Sequence, residues 1–456
     1  MGMMSEREMN DEGFRRFEEE VRRSFRWNFA VNCVDFGLFT AALSFASMAT
    51  ILPTFVKHFT ASSVLIGAVS ALSTLGWFLP QLLVAGHIER LERKKPFILR
   101  YGIGERLPWL VLALVTFVFR TASASWMLGT FFVLYAWYTF SGGIVGNAWL
   151  DMIAKAIPER KRGAFFGTSR FAGGVLGVLG GLLAGHLLER YAFPGNFGRC
   201  FLLTFGFTST SLVFFSLNRE PVYPVRKEHR TFWAYLRRLP EVLRRDPAFA
   251  RLLGVGVLLS FGGMGSGFYA VHAIDRLGLE SGKVGTFTAL LLAAQTVTNL
   301  PWGYLGDRKG YKCLMVVSAI CGILAALVAA VGGSLPAFYG VFMLLGACWS
   351  SGMIAGSNIV LEFCRPEDRP TYIGLAGTIR APFMGFAPIL GGILADRFGY
   401  PFVFMVTAGV VLAGLITLIV AVRDPRREKG EVRSQEPGAR SQESEVRSQE
   451  GDLADL

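Results

Sequence analysis

Long apolar runs alternate with short, strongly polar stretches from residue 31 to residue 422. About 20 mostly apolar residues carry a helix across a bilayer. By that measure the chain predicts crossings at 31–56, 64–87, 97–119, 126–150, 165–188, 200–217, 250–272, 284–305, 313–333, 337–361, 373–396 and 401–422. Two other stretches carry apolar residues at helical spacing on a basic background. Phe14, Phe17, Val21 and Phe25 form one stripe; Phe232, Trp233, Leu236, Leu239 and Leu243 form the other, beside Arg237, Arg238, Arg244 and Arg245. Such segments suit helices lying on the inner leaflet. After Arg423 the pattern dissolves into VRSQE-like units at 432–436, 439–443 and 446–450, too polar to bury a core, which predicts disorder.

Composition agrees: 52% of the 456 residues are hydrophobic and 18% charged, against ~25% charged in soluble domains. The net charge of +12 raises nucleic acid as a partner, but its distribution argues against one. Only Lys57, Arg120, Arg190, Arg199, Arg276, Lys283 and Arg397 fall in the segments external to an inside N-terminus. Most of the 46 Lys and Arg crowd the alternate segments. That bias predicts an inner-membrane protein with both termini cytoplasmic, in contact with anionic lipid. The charged first 26 residues precede an apolar run that should act as an uncleaved signal anchor. The six cysteines show neither C-x-x-C pairs nor metal-ligand spacing, and nothing implies a cofactor.

The chain also repeats itself. GTSRFAGGVLGVLGGLLAG at 167–185 resembles GTIRAPFMGFAPILGGILAD at 377–396: Gly167, Thr168 and Arg170 align with Gly377, Thr378 and Arg380. After a one-residue slip, Gly180 and Gly181 align with Gly391 and Gly392. Both copies follow even-numbered crossings, so the repeat is parallel. The organisation predicted is a cytoplasmic amphipathic segment at 1–26, a six-helix half at 27–217 and a central cytoplasmic loop with an amphipathic helix at 218–249. A second six-helix half at 250–422 and a cytoplasmic tail at 423–456 complete it.

The loop after the eighth crossing reads Gly303-Tyr304-Leu305-Gly306-Asp307-Arg308-Lys309-Gly310-Tyr311-Lys312. It resembles the G-x-L-x-D-R-x-G-x-K signature of the major facilitator superfamily, at the place that signature occupies. The equivalent first-half stretch, from Gly86 to Lys95, keeps the glycine and the basic run but lacks the aspartate. The resemblance implies an all-α membrane protein of twelve transmembrane helices in two parallel pseudo-symmetric six-helix halves, with substrate bound between them. Gly303 would allow close helix approach, and Asp307, with Arg308 and Gly310, would form a charge lock that breaks when the halves rock. The alternative is a solvated turn. The superfamily's G-P-x-x-G-G pattern of drug–proton antiporters is met only in part. The fifth crossing has Gly177, Gly180 and Gly181 without the proline, which counts against an antiporter, while the eleventh has Pro388, Gly391 and Gly392.

Ionisable groups inside a membrane are functional candidates. Asn28, Asn32 and Asp35 share one face of the first helix. Asp35 is the candidate coupling carboxylate, with a salt bridge near the headgroups as the alternative. Arg170 and Arg380, at matched repeat positions, could bind an anionic substrate group or partner Asp35, but their symmetry favours structural or gating pairing with carboxylates such as Asp151 or Glu362. Glu105 and Arg106 point ~100° apart on a helix and should pair with different neighbours. Candidate cavity groups are Asn32, Tyr138, Asn147, Trp149, Tyr269, Gln295, Asn299 and Asn358; interhelical hydrogen bonding is the alternative for each.

The function expected is secondary active transport of a small molecule by alternating access in a monomer, coupled to protons, with efflux of amphipathic compounds favoured. Uptake of a sugar or other metabolite, or a non-transporting receptor or lipid- or pigment-handling role on the same fold, are the alternatives. No P-loop or nucleophile motif supports an enzyme or an ATP-driven pump.

Overall fold

The computed structural model describes residues 6–222, 243–364 and 369–422. The stripe expected from Phe232 to Leu239 and the repeats after Arg423 lie outside them. A backbone in hydrocarbon must satisfy its own hydrogen bonds, and the chain does so by helices. The first bundle comprises α1 (Glu6–Phe45), α2 (Ile51–Lys57), α3 (Ser63–Arg90), α4 (Lys95–Val118), α5 (Ala124–Ala156), α6 (Glu159–Arg190) and α7 (Gly195–Ser216). The second comprises α8 (Pro247–Ser260), α9 (Phe268–Leu277), α10 (Lys283–Lys309), α11 (Tyr311–Val331), α12 (Leu335–Phe363), α13 (Arg369–Phe398) and α14 (Tyr400–Ala421). Outward faces are apolar, as Leu83 (83% exposed) and Val420 (79%) illustrate, so the surface suits lipid.

Eleven segments among the described residues are both long and apolar enough to span a membrane. The twelfth crossing is α10, which has the length but carries Thr296, Gln295, Thr298 and Asn299. It packs between α6 and α12, and its polar residues are half-buried. Two crossings are broken at corresponding places. The first opens between Phe45 and Ile51, and the seventh passes through a 3-10 turn at Phe261–Gly265 before restarting after Gly267, whose φ of 84° suits glycine.

The amphipathic stripe near the N-terminus behaves differently from expectation. It belongs to a helix continuous with the first crossing, and its lower part docks on protein. Val21 is buried, and Phe25 stacks edge-on against Phe29, which does the same to Phe165 of α6.

The bundles meet along two crossings, α3 with α13 and α6 with α10. The second glycine of each repeat pair, Gly181 and Gly392, sits there. A Cβ on Gly392 would stand 2.6 Å from the Ser63 carbonyl oxygen, and one on Gly285 would stand 2.2 Å from the Gly185 nitrogen. Polar contacts tighten the same end. Lys57 pairs with Asp275, the Thr50 and Thr288 hydroxyls are 2.6 Å apart, and the Ser63 amide at the start of α3 donates to Asp396 of α13 at 2.6 Å. Toward the other end the helices diverge. Gly174 abuts Thr296, but Gly167, two turns along the same face of α6, meets nothing within 4 Å. Gly385 abuts Leu75, but Gly374, three turns along α13, likewise meets open space.

Two outcomes follow from this closed end. Gly285→Val should cost it at least ~1–3 kcal/mol through overpacking against backbone. In a background without native cysteines, labelling of Thr288→Cys by a membrane-impermeant maleimide should then rise about tenfold or more. His58 lies just beyond α2, its ring 4.4 Å from that of Phe193 and its Nε2 3.1 Å from the Ser281 hydroxyl. Burial first, and the Lys57 charge second, hold its pKa below the usual 6.5. A histidine with a lowered folded pKa stabilises fully above its unfolded value, and that contribution drains away as pH falls from about 6.5 toward the folded pKa. Melting temperature should therefore drop with acidification below about pH 6.5, and His58→Gln should flatten that part of the profile.

Candidate functional site

The helix breaks cap a cavity of about 320 Å³ between the bundles, set mostly in the second. Met48 and Ala49 come from the first break, and Gly262, Gly263 and Ser266 from the second. Ser70 and Thr74 of α3, Tyr269, Trp349, Thr407 and Arg380 complete its polar and aromatic wall. Unwound backbone at membrane depth is tolerated where it lines a cavity. Ser70 and Ser266 bridge the bundles through hydroxyls 3.2 Å apart. Tyr269 stacks on Phe404 at 4.6 Å between centroids. The lining contains no carboxylate among the described residues. Arg380 makes no hydrogen bond or ion pair among the described residues, and its Nε is buried without a partner there.

A second polar cluster lies inside the first bundle. Asp35 is 5% exposed; its carboxylate accepts from Ser211 Oγ at 2.5 Å and from Trp149 Nε1 at 3.2 Å. Trp149 in turn stacks on Phe36. Glu105 and Arg106 are also buried, and Arg106 interacts electrostatically with Asp35. Two acids and one base are therefore buried close together, with the base paired to Glu105.

Several expectations change here. Glu105 and Arg106 do not seek separate partners: the guanidinium folds back to donate to Glu105 at 2.5 Å, with further bonds to the carbonyls of Gly102 and Thr208. The long arginine stem overcomes the angular separation. Asp35 forms no salt bridge among the described residues and does not line the cavity; the face it shares with Asn28 and Asn32 is turned to α7. Asn32 exchanges hydrogen bonds with Asn218, and Asn28 with the backbone of Arg219. Neither Arg170 nor Arg380 pairs with Asp151 or Glu362; Asp151 is taken by Lys94 at 3.2 Å.

Of the other cavity candidates, Tyr269 lines the cavity. Gln295 reaches Met353, Asn299 accepts from Ser350 at 2.7 Å and Trp302 donates to the Ala347 carbonyl, so that stripe joins α10 to α12. Asn147 reaches the Gln81 carbonyl, Asn358 bonds within its own helix, and Tyr138 packs on Trp109. In the signature loop, Asp307 accepts from Tyr311, Arg308 stacks over Tyr304, and Gly310 is a turn at φ 86° between α10 and α11. Gly303 has open space around it, and the close contact of that loop is instead at Gly306, against Tyr311 and Leu314. The sequence signal for the cavity was the run Gly262-Gly263-Met264-Gly265-Ser266-Gly267, which breaks the seventh crossing.

Comparison with known proteins agrees with this architecture. The sequence model of the Major Facilitator Superfamily matches residues 34–286 and 254–450. The chain is 25% identical over 413 residues to Multidrug resistance protein MdtG of Salmonella paratyphi C (strain RKS4594), covering 86% of this chain and 94% of that one. It is 32% identical over 174 residues to the MdtG of Dickeya zeae (strain Ech586), a match spanning 36% of this chain and 40% of that relative's length. Its fold is similar to that of the nucleoside transporter NupG, with TM-score 0.65 at 14% identity over 86% of this chain and 98% of that one.

The buried acid–base cluster predicts non-additive mutants. Arg106→Leu leaves carboxylates uncompensated and should cost ~3–5 kcal/mol. Adding Glu105→Leu should recover much of that loss, read as the melting temperature of the detergent-solubilised protein.

Proposed function

This chain belongs to the Major Facilitator Superfamily, and from that membership we propose that it exports amphipathic small molecules across the cytoplasmic membrane by alternating access, coupled to protons. The observation that carries the reading is the asymmetry of its two ends. One end is sealed by glycine crossings and polar contacts between bundles, while toward the other the same helices part. The parted end carries Arg90, Lys94, Lys95, Lys155, Arg160 and Arg162, which by the positive-inside rule supports a cytoplasmic opening with both termini inside. Cargo entering there from the cytoplasm or inner leaflet meets a cavity of apolar, aromatic and hydroxyl groups. The relatives bear the name multidrug resistance protein, which supports outward movement of such compounds. The cavity lies within one chain, so a monomer suffices.

Proton coupling is assigned to the cluster in the first bundle. With Arg106 committed to Glu105, Asp35 is held by neutral donors, Ser211 and Trp149. A carboxyl so placed can gain or lose a proton without breaking an ion pair. Access to that proton requires α1 to loosen from α5 and α7 within the first bundle as the two bundles rock.

Inverted vesicles carrying the protein should accumulate amphipathic dyes only while their interior is acid. Asp35→Asn should abolish uphill accumulation while preserving downhill exchange. Uphill transport by Asp35→Asn at the parental rate sinks the coupling assignment, and absence of dye movement in either direction sinks the export reading.

A further inference from the structure

We propose that the cargo carries an anionic oxyacid group, a carboxylate or a phosphate, and that Arg380 receives it. This inference rests on the export reading and adds the charge of the substrate to it. A guanidinium cannot shed its proton inside a protein. Burying one without a partner is costly, so buried arginines are held by carboxylates or carbonyls. Arg106 in the first bundle obeys that rule with three hydrogen bonds. Arg380 does not: half-buried at the cavity wall, it has its Nε buried and unbonded, no ion pair reaches it among the described residues, and the wall offers it no carboxylate.

The space around it is shaped for the side chain rather than left over. A Cβ on Gly256 of α8 would stand 3.0 Å from Arg380 Cδ and 3.2 Å from its Nε. A Cβ on Gly356 of α12 would stand 3.8 Å from Nη1. Both helices thus present glycine to the arginine, and at Gly256 a side chain would crowd it. Its planar fork of donors matches the two oxygens of a carboxylate or phosphate. Ser260 and Tyr269 supply further hydroxyls in the same wall, and Trp349 an aromatic face for the apolar body of an amphiphile.

Arg170 occupies the repeat-equivalent position on α6. It too has no ion-pair partner among the described residues, and it sits one turn below Gly174 on the face toward α10, where the bundles part. A second unpaired positive charge on the way in concentrates anions at the cavity mouth. The acids of the first bundle are enclosed among α1, α4, α5 and α7 and cannot neutralise either arginine.

The test uses the full chain, purified in detergent and reconstituted in proteoliposomes, with phenylbutanoate, phenyl phosphate, phenylbutanamide and tetraphenylphosphonium as probes. A ligand that binds the folded state raises its melting temperature. At least one of the two anions should stabilise the protein and be transported, and which of them does so names the oxyacid. Phenylbutanamide, of nearly the same shape, should do neither. Arg380→Ala should weaken the anion's effect about tenfold to a hundredfold, and Arg380→Lys by less. Arg380→Ala should also melt no lower than the parent without ligand, because it removes an unpaired charge; this separates loss of binding from loss of fold. Gly256→Ala, which keeps the charge but displaces it, should weaken anion binding in the same direction. Stabilisation by tetraphenylphosphonium or the amide, unchanged in Arg380→Ala, overturns the inference and leaves export standing. Absence of a shift with both anions overturns it as well, and transport of uncharged dyes would then show that the export reading survives.

Discussion

A backbone surrounded by hydrocarbon has no hydrogen-bonding partner but itself, and the rest of this structure follows from that constraint. It dictates helices wherever the chain meets lipid. It also confines irregular backbone to places that protein or water can serve. The breaks after Phe45 and after Ser260 are such places, and both border the same cavity. The helices that close over them carry glycine at their crossings, because only bare backbone lets α6 approach α10, and α13 approach α3, closely enough to exclude lipid and water. Repeat, break, crossing and cavity are thus one arrangement.

On this symmetric frame the charge is distributed asymmetrically. The first bundle buries two acids with one base, tied down by Ser211, Trp149 and the carbonyls of α4 and α7. The second bundle places an arginine against open space. The two halves are therefore specialised differently: one encloses an acid–base cluster, and the other presents an unpaired arginine to the cavity. The matched arginines illustrate how duplication and specialisation coexist. Arg170 and Arg380 occupy the same register of their repeats, but only Arg380 lines the cavity.

Much of this was legible in the sequence. Apolar length gave the helices, although the sixth begins at Gly195 rather than near residue 200, and the first and seventh are broken. The glycine pairs at Gly180-Gly181 and Gly391-Gly392 identified the repeat, and the structure adds the reason: in each pair one glycine packs inside its own bundle and the other where the bundles touch. The polar residues were harder to read. Helical periodicity places Asn28, Asn32 and Asp35 on one face but does not say which neighbour that face meets, and it meets α7. The same limit applies to Gln295, Asn299 and Trp302, whose stripe was legible and whose partner, α12, was not. A polar side chain in a span announces that it needs a partner; only packing decides whether that partner is a helix or a cargo.

The polar stripe on α10 also bears on how the protein is made. Its partners, Ser350 and the Ala347 carbonyl, belong to α12, which leaves the ribosome later. During synthesis of α11 and α12 the least apolar crossing of the chain stands in the membrane with its amides unmet. The surface ready to shelter it is α6, whose Gly181 and Gly185 already offer a smooth groove for Ala289 and Gly285. The second bundle thus completes its most polar crossing on a surface that the first bundle supplies.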